Sequence, residues 1–184
     1  MATIRFRQKA RNHPKTKPMN PPQPAPISAP AQETANLAAI LREQAARALA
    51  ASGHDPSHVS IDAPAILLAR IDPALAASII GNLIDNALTH GDVNADRPAR
   101  CVASRNEAGA SIVVINHAPG LSDADTRCLF EPFWRKDAAR TPHGGFGLGL
   151  AVCRAIAVSL GGHVKAELDG EGCLRVEFHA PVCE

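Results

Sequence analysis

Two asparagines in one predicted helix are the first residues whose type and spacing suggest chemistry. Asn82 and Asn86 are four residues apart in the segment IIGNLIDNALTH. Residues at this spacing lie on one face of an α-helix, one turn apart, so both amides can converge on one ligand. A side-chain amide oxygen can bind a hard cation such as Mg²⁺. Taken alone, such a pair is more typical of solvated or capping asparagines.

A glycine-rich segment is the second candidate site. The sequence HGGFGLGLAV has glycines at positions 144, 145, 147 and 149 and leads directly into an apolar helix. Glycine allows the backbone to approach a ligand closely, and the free N–H groups and dipole of a helix start attract phosphate. No Lys-Ser or Lys-Thr pair follows the last glycine, and no strand immediately precedes the segment. It therefore matches neither the P-loop nor the dinucleotide-binding fingerprint.

Two further segments lie between the asparagines and the glycines. NHAPGL begins at Asn116, directly after a predicted strand, and its Pro-Gly pair is a strong turn signal. LFEPFWRKDAAR begins at Leu129 and combines three aromatic residues with Arg135, Lys136 and Arg140. This second segment is either an apolar plug beside a solvated basic loop or the hinge of a lid whose cations meet phosphate.

Helices and short strands must position these segments. Apolar residues at three- and four-residue spacing predict a helix over residues 33–51. Asp72 as N-cap and Pro73 at the first helical position predict a second helix that ends at about His90. Further helices are predicted near residues 123–130 and from 149 to about 160, and short strands over residues 59–61, 66–70, 100–105, 111–115, 163–168 and 173–179. The mixed order predicts an α+β fold, a two-layer α/β sandwich with a mixed, mostly antiparallel sheet.

Composition divides the chain into two parts. Residues 1–32 contain six Lys or Arg, no acidic residue and seven prolines, which predicts a disordered basic arm. Residues 33–184 are long enough for one domain of ordinary size. The formal net charge of +1 argues against a nucleic-acid partner for the chain as a whole.

Cysteine usage and hydropathy indicate the compartment. The chain has five cysteines, an odd number, and none of them forms a CxxC pair, so neither a zinc site nor a disulfide framework is favoured. No run approaches the roughly 20 apolar residues of a membrane span, and the N-terminus lacks the apolar core of a secretion signal. We therefore predict reduced thiols, a cytoplasmic location and no membrane span in this chain.

The order of the four segments resembles that of the sensor histidine kinases, within the superfamily of histidine kinases, gyrase and chaperone ATPases. IIGNLIDNALTHG resembles their N box, NHAPGL a variant of the first glycine box (usually D-x-G-x-G), LFEPFWR the F box and GGFGLGLAV the second glycine box. The resemblance covers roughly residues 35–180, and four motifs in the correct order are far more specific than any one of them. It implies a Bergerat-type ATP-binding fold with helices on one face of the sheet.

The resemblance also implies ATP and Mg²⁺ as cofactors and assigns roles to individual residues. It implies that Asn86 binds the metal, that Asn82 helps to hold the phosphates, and that Arg135 and Lys136 neutralise charge during phosphoryl transfer. It further implies nucleotide-binding roles for His90, Asn116, Ala118, Gly120, Leu121, Phe130, Gly144, Gly145, Phe146, Gly147, Leu148, Gly149 and Leu150. Gyrase-type relatives have a glutamate that activates water where this chain has Asn82. An amide cannot act as a base, which favours transfer to a protein histidine over hydrolysis.

The sequence departs from the family pattern in two places. Asn116 replaces the family aspartate that accepts a hydrogen bond from the adenine amino group, and the loss of charge assistance costs about 1–2 kcal/mol, or about tenfold in affinity. The helical hairpin that carries the phospho-accepting histidine in the family is absent from the sequence. The resemblance therefore implies two partners: a histidine-bearing dimerisation hairpin, in trans or in a longer protein, and a response regulator receiver domain. Parental kinases of this type are commonly tethered to the inner membrane.

Three functions remain open at this point. The first is the ATP-binding catalytic domain of a two-component sensor histidine kinase, which phosphorylates a histidine on a separate hairpin. The second is a degenerate, non-catalytic phosphotransfer or regulatory scaffold, suggested by Asn116 and the missing hairpin. The third is an anti-sigma-factor serine kinase. The segment FWRKDAAR is more similar to the corresponding segment of transmembrane sensor kinases, which favours the first function over this one.

Overall fold

The computed structural model of the protein describes residues 33–107, 109–136 and 146–181. Within these ranges the helices are α1 (Leu37–Ser52), α2 (Pro73–His90), α3 (Asp123–Cys128) and α4 (Gly149–Ser159). The strands are β1 (Thr34–Asn36), β2 (Val59–Asp62), β3 (Leu68–Arg70), β4 (Ala99–Asn106), β5 (Gly109–His117), β6 (His163–Leu168) and β7 (Cys173–Pro181). The predicted basic arm, residues 1–32, lies outside the described residues.

The main sheet has five strands in the order β2-β4-β5-β7-β6. β2 pairs with β4 in parallel, and the other three pairings are antiparallel. The predicted hairpin between residues 100–105 and 111–115 is confirmed, with Arg100 opposite Ile115. β1 and β3 form a separate antiparallel pair. The predicted mixed and mostly antiparallel sheet is therefore confirmed.

The hydrophobic core joins the helices to alternate residues of the strands. On β7 the side chains of Leu174, Val176 and Phe178 are buried, as strand alternation requires when one face packs against other elements. The buried aliphatic residues of α2 that join this core are Ile79, Ile80, Leu83, Ile84 and Leu88. Each fully buried side chain of this size contributes about 1.5–3 kcal/mol to folding. α2 is thereby fixed against the sheet, which positions the asparagines it carries.

The second helix begins and ends where the sequence predicts. The Asp72 side chain accepts hydrogen bonds from the backbone N–H groups of Ala74 and Leu75, and Pro73 occupies the first turn. These interactions satisfy backbone donors that have no partner within the helix. None of the described helices has the length and apolarity needed to cross a membrane.

The first helix is shorter than the predicted range of 33–51 at its N-terminal end. It begins at Leu37, because Asn36 caps it by accepting a hydrogen bond from Ala39 N. The same Asn36 oxygen accepts a bond from Leu67 N at 3.0 Å, which joins the cap to the residue before β3. Residues 34–36 are therefore a strand, and apolar periodicity alone could not reveal this long-range pairing.

Candidate functional site

A cavity of about 520 Å³ lies along α2 and reaches the end of β5 and the start of α4. Most of the predicted site residues line it: Asn82, Asn86, His90, Asn116, Ala118, Leu121, Arg135, Lys136, Phe146, Gly147, Leu148, Gly149 and Leu150. Gly144 and Gly145 lie outside the described residues. The structure thus brings residues from all four sequence segments to one cavity.

Two predicted nucleotide-binding residues are not part of the cavity wall. The Phe130 side chain packs against the hydrophobic core, and the neighbouring Leu129 lines the cavity instead. Gly120 contributes its backbone to the adjoining turn, where φ is +87° and its carbonyl oxygen accepts a hydrogen bond from Lys136. Both residues support the wall rather than form it.

The cavity also includes residues that the sequence reasoning missed: Asp85, Thr89, Pro119, Leu129, Trp134 and Leu174. Asp85 and Thr89 each follow a predicted site residue of α2 by three positions, so helical spacing could have identified them. Leu174 has no local signal. It lies in the cavity because β7 pairs with β5 in a register that sets Leu174 opposite Asn116.

One part of the cavity, which we call the glycine end, is formed by Asn82, Asn86, Gly147, Leu148 and Gly149. Asn82 Nδ2 donates a hydrogen bond to the Ser78 carbonyl oxygen at 2.8 Å, which fixes the orientation of the amide. A Cβ added at Gly149 would lie 2.8 Å from Asn82 Oδ1, closer than real contacts allow. α2 and α4 therefore meet at a contact in which a side chain at position 149 would displace the Asn82 amide.

The backbone before α4 also depends on glycine. Gly147 has a φ of +69°, and a Cβ there would lie 2.7 Å from the Trp134 carbonyl oxygen. Phe133 N donates to the Gly147 carbonyl oxygen at 2.9 Å, which ties the aromatic segment to the glycine segment. The N-cap residue of α4, Leu148, makes no side-chain capping hydrogen bond. The first N–H groups of α4 and the helix dipole therefore form a favourable environment for an anion.

The other part of the cavity, the leucine end, is formed by Asn116, Ala118, Leu121, Leu129 and Leu174. Asn116 is 4% exposed, and its Nδ2 donates to the His117 carbonyl oxygen at 3.3 Å. Among the described residues, no donor makes a hydrogen bond to Asn116 Oδ1. The leucine end is thus an apolar surface with one buried amide side chain.

α2 sets the separation of the two ends. Asn82 belongs to the glycine end, and Gly91, directly after α2, packs against Asn116, since a Cβ at Gly91 would lie 2.6 Å from Asn116 Nδ2. Position 91 is nine positions after position 82. At 1.5 Å of rise per helical residue, the two contacts are about 13 Å apart along the helix axis. The cavity is therefore elongated.

The predicted cation Lys136 is held beside the leucine end. Its Nζ donates to the Gly120 carbonyl oxygen and pairs with the Asp125 carboxylate. Asp125 also accepts hydrogen bonds from Ser122, in the capping box that starts α3. The bonds from Lys136, followed by those from Ser122, lower the pKa of Asp125 to about 2. The ammonium group of Lys136 is therefore bound at the Gly120 turn.

Two ionisable groups on α2 have shifted pKa values. Burial lowers the pKa of His90, and the positive charge of Arg135 lowers it further. Burial raises the pKa of Asp85, and the positive charge of Arg47 partly opposes this effect. Desolvation disfavours the charged form in both cases, as expected for groups beside a cavity. His90 thus presents a neutral imidazole near neutral pH.

The geometry defines a class of binding site. An apolar surface with a single buried hydrogen-bonding side chain suits a flat aromatic base. An uncapped helix start after glycines, about 13 Å away along α2, suits phosphate groups. The arrangement on a mixed α/β sandwich is that of a nucleotide-binding domain.

Comparison with known proteins identifies the family. Residues 71–184 match the family described as histidine kinase-, DNA gyrase B- and HSP90-like ATPase. The chain is 35% identical over 144 residues to the sensor histidine kinase component HK1 of Mycobacterium tuberculosis strain H37Rv, covering 77% of this chain and 80% of that relative. It is 34% identical over 158 residues to a probable sensor histidine kinase HK of M. tuberculosis strain CDC 1551, covering 85% of this chain and 40% of that relative.

Solved structures agree with the fold. The ATP binding domain of PrrB from M. tuberculosis superposes with a TM-score of 0.63 at 22% identity, covering 83% of this chain and 98% of that structure. The chain belongs to the histidine kinase-, gyrase B- and HSP90-like ATPases, and it is a histidine kinase ATP-binding domain homologous to those of two-component sensor kinases. The family predicted from the four motifs is thus confirmed.

Proposed function

We propose that this domain binds Mg·ATP in the elongated cavity and transfers the γ-phosphoryl group to a histidine on a dimerisation hairpin. The base would lie at the leucine end and the phosphates at the glycine end. The observation that carries the proposal is the contact between Asn82 on α2 and Gly149 at the start of α4. Through this contact the paired asparagines and the uncapped helix start share one cavity with Asn116.

The leucine end supports adenine binding. Leu121, Leu129 and Leu174 can contact the faces of the ring, and Asn116 Oδ1 can accept a hydrogen bond from the 6-amino group. A ligand whose amino group donates to Asn116 Oδ1 would add a hydrogen bond that no described donor supplies. Asn116 lines the cavity and keeps the capacity to accept this hydrogen bond, which favours binding over the scaffold alternative.

The glycine end fits a magnesium ion. Mg²⁺ commonly binds one or two protein oxygens and fills its other positions with water and phosphate oxygens. The described residues contain no group of three His, Cys, Asp or Glu side chains that could hold a metal alone. Asn86, which lines the cavity beside Asp85, can supply a protein oxygen of this kind. Mg²⁺ held there by Asn86 would neutralise charge on the phosphates.

Asn82 supports transfer to a protein acceptor over hydrolysis. Its amide cannot remove a proton from water, and its Nδ2 is already bonded to the Ser78 carbonyl oxygen. The amide oxygen, which faces Gly149, instead shapes the start of α4. Arg135 lines the same cavity and can neutralise charge that develops on the moving phosphoryl group.

The two proposed phosphoryl acceptors are inferred from the resemblance to the kinase family. We propose that a hairpin, in trans or elsewhere in a longer protein, supplies the histidine and that a response regulator receiver domain then accepts the phosphoryl group. The resemblance of the chain to sensor histidine kinases supports this order. No observation on the cavity favours a serine acceptor.

Calorimetric titration with ATP, with and without Mg²⁺, tests nucleotide binding. We expect Mg²⁺-dependent binding that is at least tenfold weaker in Asn86→Ala and largely retained in Asn86→Asp, which keeps an oxygen ligand. Asn94→Ala is the matched control, because it removes an amide that lies outside the cavity wall. Absence of ATP binding, or binding that responds to neither Mg²⁺ nor Asn86→Ala, would contradict the proposal.

Phosphoryl transfer is tested separately with γ-labelled ATP and a purified two-helix hairpin that carries one histidine. Phosphohistidine is acid-labile and phosphoserine is acid-stable, so acid treatment of the labelled product distinguishes the two kinase alternatives. We expect acid-labile label that disappears when the hairpin histidine is replaced by glutamine. Acid-stable label would support the serine kinase instead.

A further inference from the structure

The hydrogen-bonding side chain of the leucine end is an amide. Of the five residues that form the leucine end, only Asn116 has a side chain that forms hydrogen bonds. A carboxylate at this position would present acceptors alone, whereas an amide presents an acceptor and a donor side by side. Asn116 can therefore form hydrogen bonds with more kinds of base than an aspartate at this position could.

The hydrogen bond that sets the orientation of the Asn116 amide is weak. Its Nδ2 bond to the His117 carbonyl oxygen is long, at 3.3 Å. The same carbonyl oxygen also accepts a bond from Asp92 N at 2.8 Å, so it remains satisfied if the Asn116 bond is lost. A half-turn about the Cβ–Cγ bond would exchange Oδ1 and Nδ2, and the side chain would also have to turn away from the His117 carbonyl oxygen, since two acceptors repel each other. Either atom could then face a ligand at the leucine end.

Purine bases differ at position 6 in whether they donate or accept a hydrogen bond. Adenine has an amino group there, which donates, next to an N1 that accepts. Hypoxanthine and guanine have a carbonyl oxygen there, which accepts, next to an N1–H that donates. One orientation of the amide complements the first pattern and the reversed orientation complements the second, whereas a carboxylate would repel the 6-oxo group.

We propose that Asn116 allows this domain to bind 6-oxopurine nucleoside triphosphates, those of hypoxanthine and guanine, in addition to ATP. This proposal rests on the proposed function, since it assumes that the base lies at the leucine end. It assigns to Asn116 the role of a specificity-determining residue. The domain discriminates weakly between purines where an aspartate-bearing domain would discriminate strongly.

Competitive and direct titrations with ATP, ITP and GTP in the presence of Mg²⁺ test the proposal. ITP is the most informative probe, because it differs from ATP only at position 6 and at N1, whereas GTP also has a 2-amino group. We expect the natural protein to bind ITP within about tenfold of ATP. In Asn116→Asp we expect the preference for ATP over ITP to rise by about a hundredfold, because a buried carboxylate meets the 6-oxo group without a donor.

Asn94→Asp is the matched control, since it adds the same charge outside the cavity wall and should leave the ratio of affinities unchanged. The result for the natural protein decides the matter even if Asn116→Asp fails to fold. ATP binding with ITP more than about a hundredfold weaker would overturn the inference and leave the proposed function intact. Failure of every nucleotide to bind would overturn both. If ITP binds and GTP does not, the result would support recognition of the 6-oxo group by Asn116 and show that the cavity excludes the 2-amino group.

Discussion

The two ends of the cavity are built in different ways. At the glycine end, Asn82 and Asn86 project from one long helix, and the three other residues are consecutive at the start of another helix. At the leucine end, five residues come from the end of β5, the turn after it, the end of α3 and β7. Helical spacing places the two asparagines of the first arrangement and chain adjacency places its three other residues, whereas strand register and turn geometry set the second arrangement. We therefore expect mutations at the two ends to differ in their effects on stability and on nucleotide affinity.

The largest effect is expected from Gly91→Ala, beside the leucine end. A Cβ there would lie 2.4 Å from the Ala87 carbonyl oxygen and 2.6 Å from Asn116 Nδ2, and the backbone atom cannot move freely. We expect the free energy of unfolding to fall by about 1–3 kcal/mol, as in other overpacked sites. Urea denaturation measures this. Gly170→Ala is the control, because an added Cβ at Gly170 would contact nothing within 4 Å; equal stability of the two variants would refute the packing argument.

Gly149→Ala should separate binding from stability at the glycine end. The added Cβ would displace the Asn82 side chain, which is the end of a rotatable group, while alanine in a helix gains up to about 1 kcal/mol over glycine. We therefore expect little change in thermal stability and about a tenfold loss of ATP affinity, a cost of about 1.4 kcal/mol. Ser159→Ala, at the other end of α4, is the control. A large loss of stability with unchanged affinity would reverse the contrast between the two ends.

Lys136→Met should change the electrostatics of the leucine end without unfolding it. Without the ammonium group, we expect the pKa of Asp125 to rise from about 2 towards its ordinary value, while Ser122 still holds it below that value. The stability that the depressed pKa contributes is present above the ordinary pKa and is lost as pH falls towards 2. Carboxyl carbon shifts in NMR report the titration. Lys165→Met, which removes an ion pair on the sheet, should leave Asp125 unchanged.

The smallest effect concerns His90. Its pKa is lowered first by burial and then by Arg135, so Arg135→Gln should raise the pKa only part of the way to its ordinary value. The folded protein keeps the imidazole neutral, and the unfolded chain binds a proton first as pH falls below 6.5. Stability therefore decreases with acid through this range. NMR titration of the imidazole measures the shift, and Arg175→Gln, on β7, should not change it.

The sequence predicted the elements well where signals are local. The start and end of α2 follow from Asp72, Pro73 and Gly91, and the hairpin of β4 and β5 follows from two apolar runs around a turn. The start of α1 was wrong, because the Asn36 cap depends on Leu67, which is 31 residues away. Local periodicity cannot contain information about such a partner.

The site shows the same division. The residues of the glycine end were predicted because their motifs have fixed spacing and an evident chemistry. At the leucine end, Leu174 was missed because only its pairing with Asn116 brings it to the cavity. Lys136 was predicted to act on phosphate, and its bonds to Asp125 and the Gly120 carbonyl oxygen could not be foreseen from the sequence. Its catalytic role stays a prediction.

The hydrogen bond from Phe133 N to the Gly147 carbonyl oxygen has a consequence for how this domain can vary. It brings the two ends of the intervening chain together, whatever the length of that chain. Loop-closure entropy grows only with the logarithm of length, so doubling such a connection costs about 0.6 kcal/mol. A change in chain length between positions 136 and 146 is therefore expected to cost little as long as this hydrogen bond is kept. Related domains can diverge in this connection while the contact between Asn82 and Gly149 keeps its geometry.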